Sequence, residues 1–376
     1  MHRFQNIPGW PSEKEHLLGS FSAGRNSHAQ LFTGPDGGGA LPLALAYAGL
    51  LLCEQPGPDG ACGTCTACIQ TAKGTHPDLH CVFPVVKSGA SGTSEEFLPV
   101  WRETAEQFPF LSYGRWLQQA GFDQKQALIA VSESERILKV AALRSFSGGA
   151  RVILLWMPEK MNVNAANKML KILEEPERGT YFILVSHQPE QLLMTIRSRC
   201  QILTTGPLEI NVLSTWLQQQ GHSAEAAHQA AVLARGIPGD ALEILDAADH
   251  LVAHAENAVA WFRHAFRGEW ATLVGWADAM GAEGRENIKA FLAFLSDFTG
   301  RLIPVKYPGS GIDFPTLLLV AGFKPDGLAA QLTPEKATGL LREIDRATAD
   351  IERNVQPKVV LFDLSFQAHQ ILRKKG

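Results

Sequence analysis

Short apolar runs rich in β-branched and aromatic residues alternate with stretches of helical period through the first half of the chain, and helical period alone continues through the second half. Strands are predicted at Ala29–Phe32, His80–Phe83, Leu128–Val131, Val152–Trp156, Tyr181–Ser186 and Gln201–Leu203. Strands alternating with helices are the signature of a parallel sheet built from crossover units. A helix follows the first strand and its glycine turn through Leu50, with Pro42 in the first turn, where no intrahelical N–H bond is lost. Ser132-Glu133-Ser134-Glu135 opens another, with Ile137, Leu138, Ala141 and Ala142 on one face and Gly148-Gly149 closing the connection. A further helix runs from Asn164 to Glu175 on the stripe Ala165, Ala166, Met169, Leu170 and Leu173, and Pro176 stops it.

Beyond Pro207 the strand signal ends, and Ile288, Phe291, Leu292, Leu295 and Phe298 recur at the spacing of a packed helix. Gly236-Ile237-Pro238-Gly239 and Tyr307-Pro308-Gly309-Ser310-Gly311 punctuate this half. Boundaries near 207 and 250 divide the chain into 1–207, 208–250 and 251–376. Residues 86–126 read as an insertion that begins in the polar stretch from Ser88 to Ser94 and gathers Phe97, Trp101, Phe108, Phe110, Tyr113 and Trp116. Packing of these rings into a small helical subdomain is favoured over a partner-binding patch.

Composition narrows the class. With 376 residues, 45% hydrophobic and 19% charged, the chain can bury sizeable cores in two or three domains. A net charge of −4 gives no reason for this chain alone to grip a phosphate backbone. No secretory signal is visible in Met1–Leu17, and the longest apolar run, Leu41–Cys53, is about 13 residues, short of the roughly 20 that span a bilayer.

Three places carry chemistry. The turn Gly34-Pro35-Asp36-Gly37-Gly38-Gly39 has the glycine spacing of a phosphate-binding loop, with Gly34, Gly37 and Gly39 the candidate contacts. Ala40 and Leu41, however, stand where that loop needs a lysine for the β/γ-phosphates and a hydroxyl for Mg²⁺. The strand that should end in a Mg²⁺-holding acidic pair ends instead in Met157-Pro158, with Glu159 and Lys160 shifted past its tip. Each lost charge-assisted contact removes on the order of 1.5–3 kcal/mol, so productive ATP binding is not expected. Cys53, Cys62, Cys65 and Cys68 are spaced C-x8-C-x2-C-x2-C, which suits a closed four-sulfur structural zinc site; Cys81 and Cys200 stand apart. Ile196-Arg197-Ser198-Arg199-Cys200 is a basic doublet before a strand, which by composition alone reads most simply as a solvated or salt-bridged turn.

Ser198-Arg199-Cys200, Leu170-Lys171-Ile172-Leu173-Glu174-Glu175-Pro176, the glycine turn, the cysteine knuckle and His76-Pro77-Asp78 together resemble the bacterial clamp-loader subunits of the AAA+ class, in particular the delta-prime group of DNA polymerase III. Gln188-Pro189-Glu190-Gln191-Leu192 and Asn354-Val355-Gln356-Pro357-Lys358 share in the resemblance, which covers motifs through about residue 245 and only a helical pattern beyond. It implies an α/β AAA+ (RecA-like parallel sheet) domain with a zinc knuckle, a small helical lid and an all-α C-terminal collar. It also implies a non-catalytic stator that inserts Arg199 as an arginine finger into the ATP site of a neighbouring tau/gamma motor subunit. Its partners would be motor and delta subunits in a heteropentamer, with the sliding clamp and primed DNA engaged through the complex in the cytoplasm. Gly239 falls where motor subunits carry a sensor arginine, Arg197 would be structural, and Ser198 and Cys200 would shape the turn and pack beneath it. Two other readings are a motor-type ATPase that recruits Glu159 or Lys160, and a zinc-stabilised scaffold unrelated to replication.

Overall fold

The computed structural model describes residues 3–86, 93–122, 125–142, 145–147, 149–307, 314–315, 318–320 and 322–374. Residues 88–92 of the polar stretch, Gly148 and the Pro308–Gly311 turn lie outside them. The chain divides into two compact units, Met1–Leu245 and Asp246–Gly376, so 208–245 of the segment expected to form the lid falls in the first and 246–250 in the second.

Five strands, β1 (Ala29–Thr33), β2 (Leu79–Val82), β3 (Arg151–Trp156), β4 (Thr180–Ser186) and β5 (Gln201–Thr204), form one sheet in the order β2-β3-β4-β1-β5. Every pairing is parallel, with Leu31 beside Leu184 and Ile202. β1, β3 and β4 are almost wholly buried, which is why they read as continuous apolar runs, yet their side chains still alternate. Phe32, Leu154, Trp156, Ile183 and Val185 enter one core, and Leu31, Ile153, Leu155, Phe182 and Leu184 the other.

The helices of the first unit are α1 (Pro11–Ser22), α2 (Ala40–Leu52), α3 (Thr66–Ala72), α4 (Leu98–Gln107), α5 (Tyr113–Gln119), α6 (Val131–Ala141), α7 (Val163–Glu174), α8 (Met194–Arg197), α9 (Ile210–Gln219), α10 (Ala224–Leu233) and α11 (Pro238–Asp246). All of α2 is buried, as its uninterrupted apolar sequence requires, so it lies inside the first core rather than along a surface. α6 and α7 cover the other face through Ile137, Ala141, Ala165, Ala166, Met169 and Leu173. The Asn162 side chain caps α7 by accepting from the Ala165 N–H at 2.8 Å.

Two expectations need correction. Leu128–Val131 is not a strand: Leu128 bridges Val85, Ile129 bridges Met161, and Val131 already opens α6. The inner face of α6 includes Glu133 and Ser134 but not Ala142, because Glu133 is held by the Ser94 N–H at 2.7 Å and by the Arg136 guanidinium.

The insertion's rings are buried rather than displayed, but they join the core on one face of the sheet instead of forming a subdomain of their own. Phe83 stacks on Trp101 at 4.4 Å, Trp101 meets Trp116 and Trp156 at 5.4 and 5.2 Å, and the Trp116 indole donates to the Pro84 carbonyl.

The second unit comprises α12 (Ala248–Arg267), α13 (Trp270–Ala282), α14 (Arg285–Val305), α15 (Pro325–Gln331), α16 (Pro334–Glu352) and α17 (Pro357–Arg373). Ile288, Phe291, Leu292, Leu295 and Phe298 of α14 are fully buried, and Trp261 of α12 donates to the Ser365 hydroxyl of α17 at 2.9 Å.

Candidate functional site

The glycine loop leaves the carboxyl end of β1, where the strand order reverses between β4 and β5, which is the usual place for a crevice in a parallel sheet. Here the crevice is filled by the chain itself. A Cβ on Gly39 would lie 2.7 Å from the Trp10 ring, and one on Gly34 would lie 2.2 Å from the Thr205 hydroxyl. Gly239, at the start of α11, donates its N–H to the Gly37 carbonyl at 2.9 Å. A Cβ there would meet the Phe110 carbonyl at 2.6 Å and Gly37 at 2.8 Å, so no side chain of any length fits where a sensor arginine was expected. Ala40 and Leu41 are buried in the core.

Carboxylates line what remains. Asp36 accepts from the Gly37 N–H at 3.1 Å, taking one loop amide that a bound phosphate would use, and from the Tyr113 N–H at 2.9 and 3.0 Å. The Asp240 carboxyl faces Gly37 and is pushed up to about 6 by burial, with the charges of Glu243 and Asp36 adding to it. The Ser112 hydroxyl donates to Glu243 at 2.8 Å, so the insertion, the glycine loop and α11 are tied together at one point. Beside them, the Trp156 indole donates to Nε2 of His187 at 3.1 Å. The same Nε2 lies 3.3 Å from an Asp36 carboxylate oxygen, and Nδ1 lies 3.2 Å from the Gly34 carbonyl, so the ring bridges the loop and β3. Glu159 accepts from the His187 N–H at 3.0 Å, and the Lys160 ammonium sits 5.0 Å over the Tyr113 ring.

The four knuckle cysteines converge. Their sulfurs lie within 4.8 Å of one another, with Cys53 to Cys65 at 4.0 Å and Cys62 to Cys68 at 3.8 Å. A tetrahedral ion with bonds of about 2.3 Å sets its sulfurs about 3.8 Å apart, so the donor set fits zinc. Cys53 is the C-cap of α2 and Cys65 the N-cap of α3, while Gly60 and Gly63, both at positive φ, make the turns between. The N–H groups of Thr64 and Cys65 point at the Cys62 sulfur and lower its pKa to about 6, whereas burial raises Cys53 and Cys68. A divalent cation supplies the positive charge that lets four such sulfurs coexist as thiolates.

Arg199 is on the turn between α8 and β5, far along the chain from the other two sites, and its side chain keeps 29% of its exposure. Nε donates to Glu174 Oε1 at 2.8 Å, Nη2 donates to the same oxygen, and Nη1 donates to the Thr195 carbonyl at 2.7 Å. Burial against the sheet core raises the Cys200 thiol to about 11, while the Ser198 hydroxyl donates back to the Thr195 carbonyl.

A family model described as DNA polymerase III, delta subunit, matches residues 10–209. The chain belongs to that family. It is 35% identical over 222 residues to the DNA polymerase III subunit delta' of Pseudomonas aeruginosa, covering 59% of this chain and 51% of that one. To the Escherichia coli subunit delta' it is 30% identical, with 69% and 66% covered, and to the E. coli subunit tau 24%, with 68% and 34% covered. The chain thus spans about half to two thirds of the length of the delta' relatives. The family agrees with the motif resemblance, and the parallel sheet and helical C-terminal unit are the architecture that resemblance implied.

Sequence reasoning found the loop, the knuckle and Arg199, but it missed Trp10, Asp36, Asp240 and Glu174 as partners of those sites. Glu174 lay inside a quoted motif, yet its bond to a residue 25 positions away has no local periodicity to reveal it.

Proposed function

We propose that the chain is a non-catalytic clamp-loader subunit that contributes Arg199 to the ATP site of a neighbouring motor subunit. In this reading the 208–250 helices act as a lid, residues 251–376 as a collar, and motor and delta subunits complete a cytoplasmic heteropentamer that loads a sliding clamp at primed DNA. The observation that carries it is the glycine loop closed by Asp36, Trp10 and Gly239, together with an arginine on another loop that stays partly exposed. A guanidinium has the charge and fork geometry to stabilise charge developing on a γ-phosphate. Glu159 and Lys160, the groups that a divergent motor would recruit, are engaged with His187 and Tyr113, which speaks against intrinsic turnover. The cysteine cluster holds a structural zinc in the same proposal: Cys53, Cys62, Cys65 and Cys68 leave no open position for substrate.

The test is reconstitution with P-loop-intact motor and delta subunits. Arg199→Ala is expected to leave assembly intact and lower ATP hydrolysis by roughly 10³ or more. Unchanged hydrolysis in the assembled mutant complex refutes the role, and ATP turnover by the purified chain alone refutes the non-catalytic assignment.

A further inference from the structure

We infer that Glu174 is a positioning residue for Arg199, a reading that rests on the finger role proposed above. A free arginine side chain samples many rotamers, and a finger that must meet a phosphate in another subunit works only when it is already aimed. Arg199 is not free. Its Nε and Nη2 edge is held on one oxygen of Glu174, and Nη1 is held on the carbonyl of Thr195. A guanidinium has five N–H donors, and these three bonds leave two for an acceptor outside the chain. The grip therefore fixes the plane of the guanidinium and keeps part of its fork available.

The place of Glu174 supports the same reading. It is the last residue of α7, where the helix macrodipole presents its negative end and disfavours a carboxylate. Its side chain is 47% exposed, so the pair adds little to folding stability. What the pair does is tie the aim of Arg199 to a helix packed on the sheet core through Ala166, Met169 and Leu173, instead of leaving it to an exposed turn.

The experiment uses the complex reconstituted with motor and delta subunits and measures kcat and KM for ATP together with assembly. Glu174→Ala is expected to lower kcat about tenfold with KM and assembly unchanged, and Glu174→Gln, which keeps an acceptor oxygen, to recover most of the loss. In an Arg199→Ala background, Glu174→Ala is expected to cost nothing further. Parental kcat in Glu174→Ala beside an inactive Arg199→Ala complex overturns the positioning role and leaves the finger standing. Parental kcat in Arg199→Ala overturns both. Loss of assembly on Glu174→Ala, or an equal loss in the Arg199→Ala background, marks a merely structural role and also overturns it.

Discussion

At Gly239 a single methyl group is too much, because its carbon would come within 2.6 Å of one backbone oxygen and 2.8 Å of Gly37. Those atoms are backbone and give way only if the loop moves, so Gly239→Ala is expected to destabilise the protein by about 1–3 kcal/mol, read as a lower urea midpoint. The same crowding explains why restoring the motif residue does not restore its chemistry. Ala40 is fully buried, and Asp36 already holds one amide of the loop, that of Gly37. Ala40→Lys is therefore expected to show no ATP binding by calorimetry and to lower stability, since it forces a long charged side chain into a filled core. The missing lysine was legible in the sequence because it sits inside a spaced motif. The groups filling the site were not: Trp10 and Gly239 approach the loop from positions remote in sequence, and although Gly239 stands in a recognisable turn, nothing local shows that it meets Gly37.

Two titratable groups at the start of β2, Asp78 just before it and His80 within it, respond to acid. Burial alone would raise Asp78, but the Ser147 N–H and hydroxyl, the Phe146 N–H and the charge of Arg151 outweigh it and lower its pKa below the ordinary 3.8. That stability is present above the unfolded value and is lost as pH falls through the folded one, below about 3.8. His80 is depressed from 6.5 to about 4, chiefly by burial and then by Arg136 and Arg151. Its contribution is complete above pH 6.5 and disappears between 6.5 and about 4, because the unfolded imidazole takes up a proton that the folded one refuses. Asp240, held up to about 6, works in the opposite sense, so the measurement is a difference between proteins. The wild type is expected to lose more stability than His80→Gln between pH 6.5 and 4, and the two curves to run parallel above 7. Strands β1, β3 and β4 were readable because burial on both faces leaves only apolar residues in them. Leu128–Val131 has the same composition, but its pairing stops after single bridges, which no count of β-formers reveals.

The order β2-β3-β4-β1-β5 was beyond the hydrophobic pattern, which marks strands without saying which lie side by side. Composition also gave no hint that the insertion reaches the glycine loop, since Ser112 and Tyr113 act there through a hydroxyl and a backbone N–H rather than through the aromatic rings that drew notice. The cysteine spacing, by contrast, was sufficient by itself, because four sulfurs within one short segment can meet without help from the fold. That locality decides how far metal loss should reach. All four cysteines belong to the unit 1–245, and they bracket the end of α2 and the start of α3. α3 has only seven residues, too few to persist as an isolated helix, and the sulfurs supply its cap. Removing zinc with a chelator is expected to speed amide hydrogen exchange by at least tenfold at α3 and the turns through Gly60 and Gly63. Amides in α13, α14, α16 and α17, which share none of the ligands, should keep their rates. Uniform acceleration across both units would mean that the metal holds the whole chain together, and unchanged exchange at α3 would mean that the cysteines stabilise the knuckle without it.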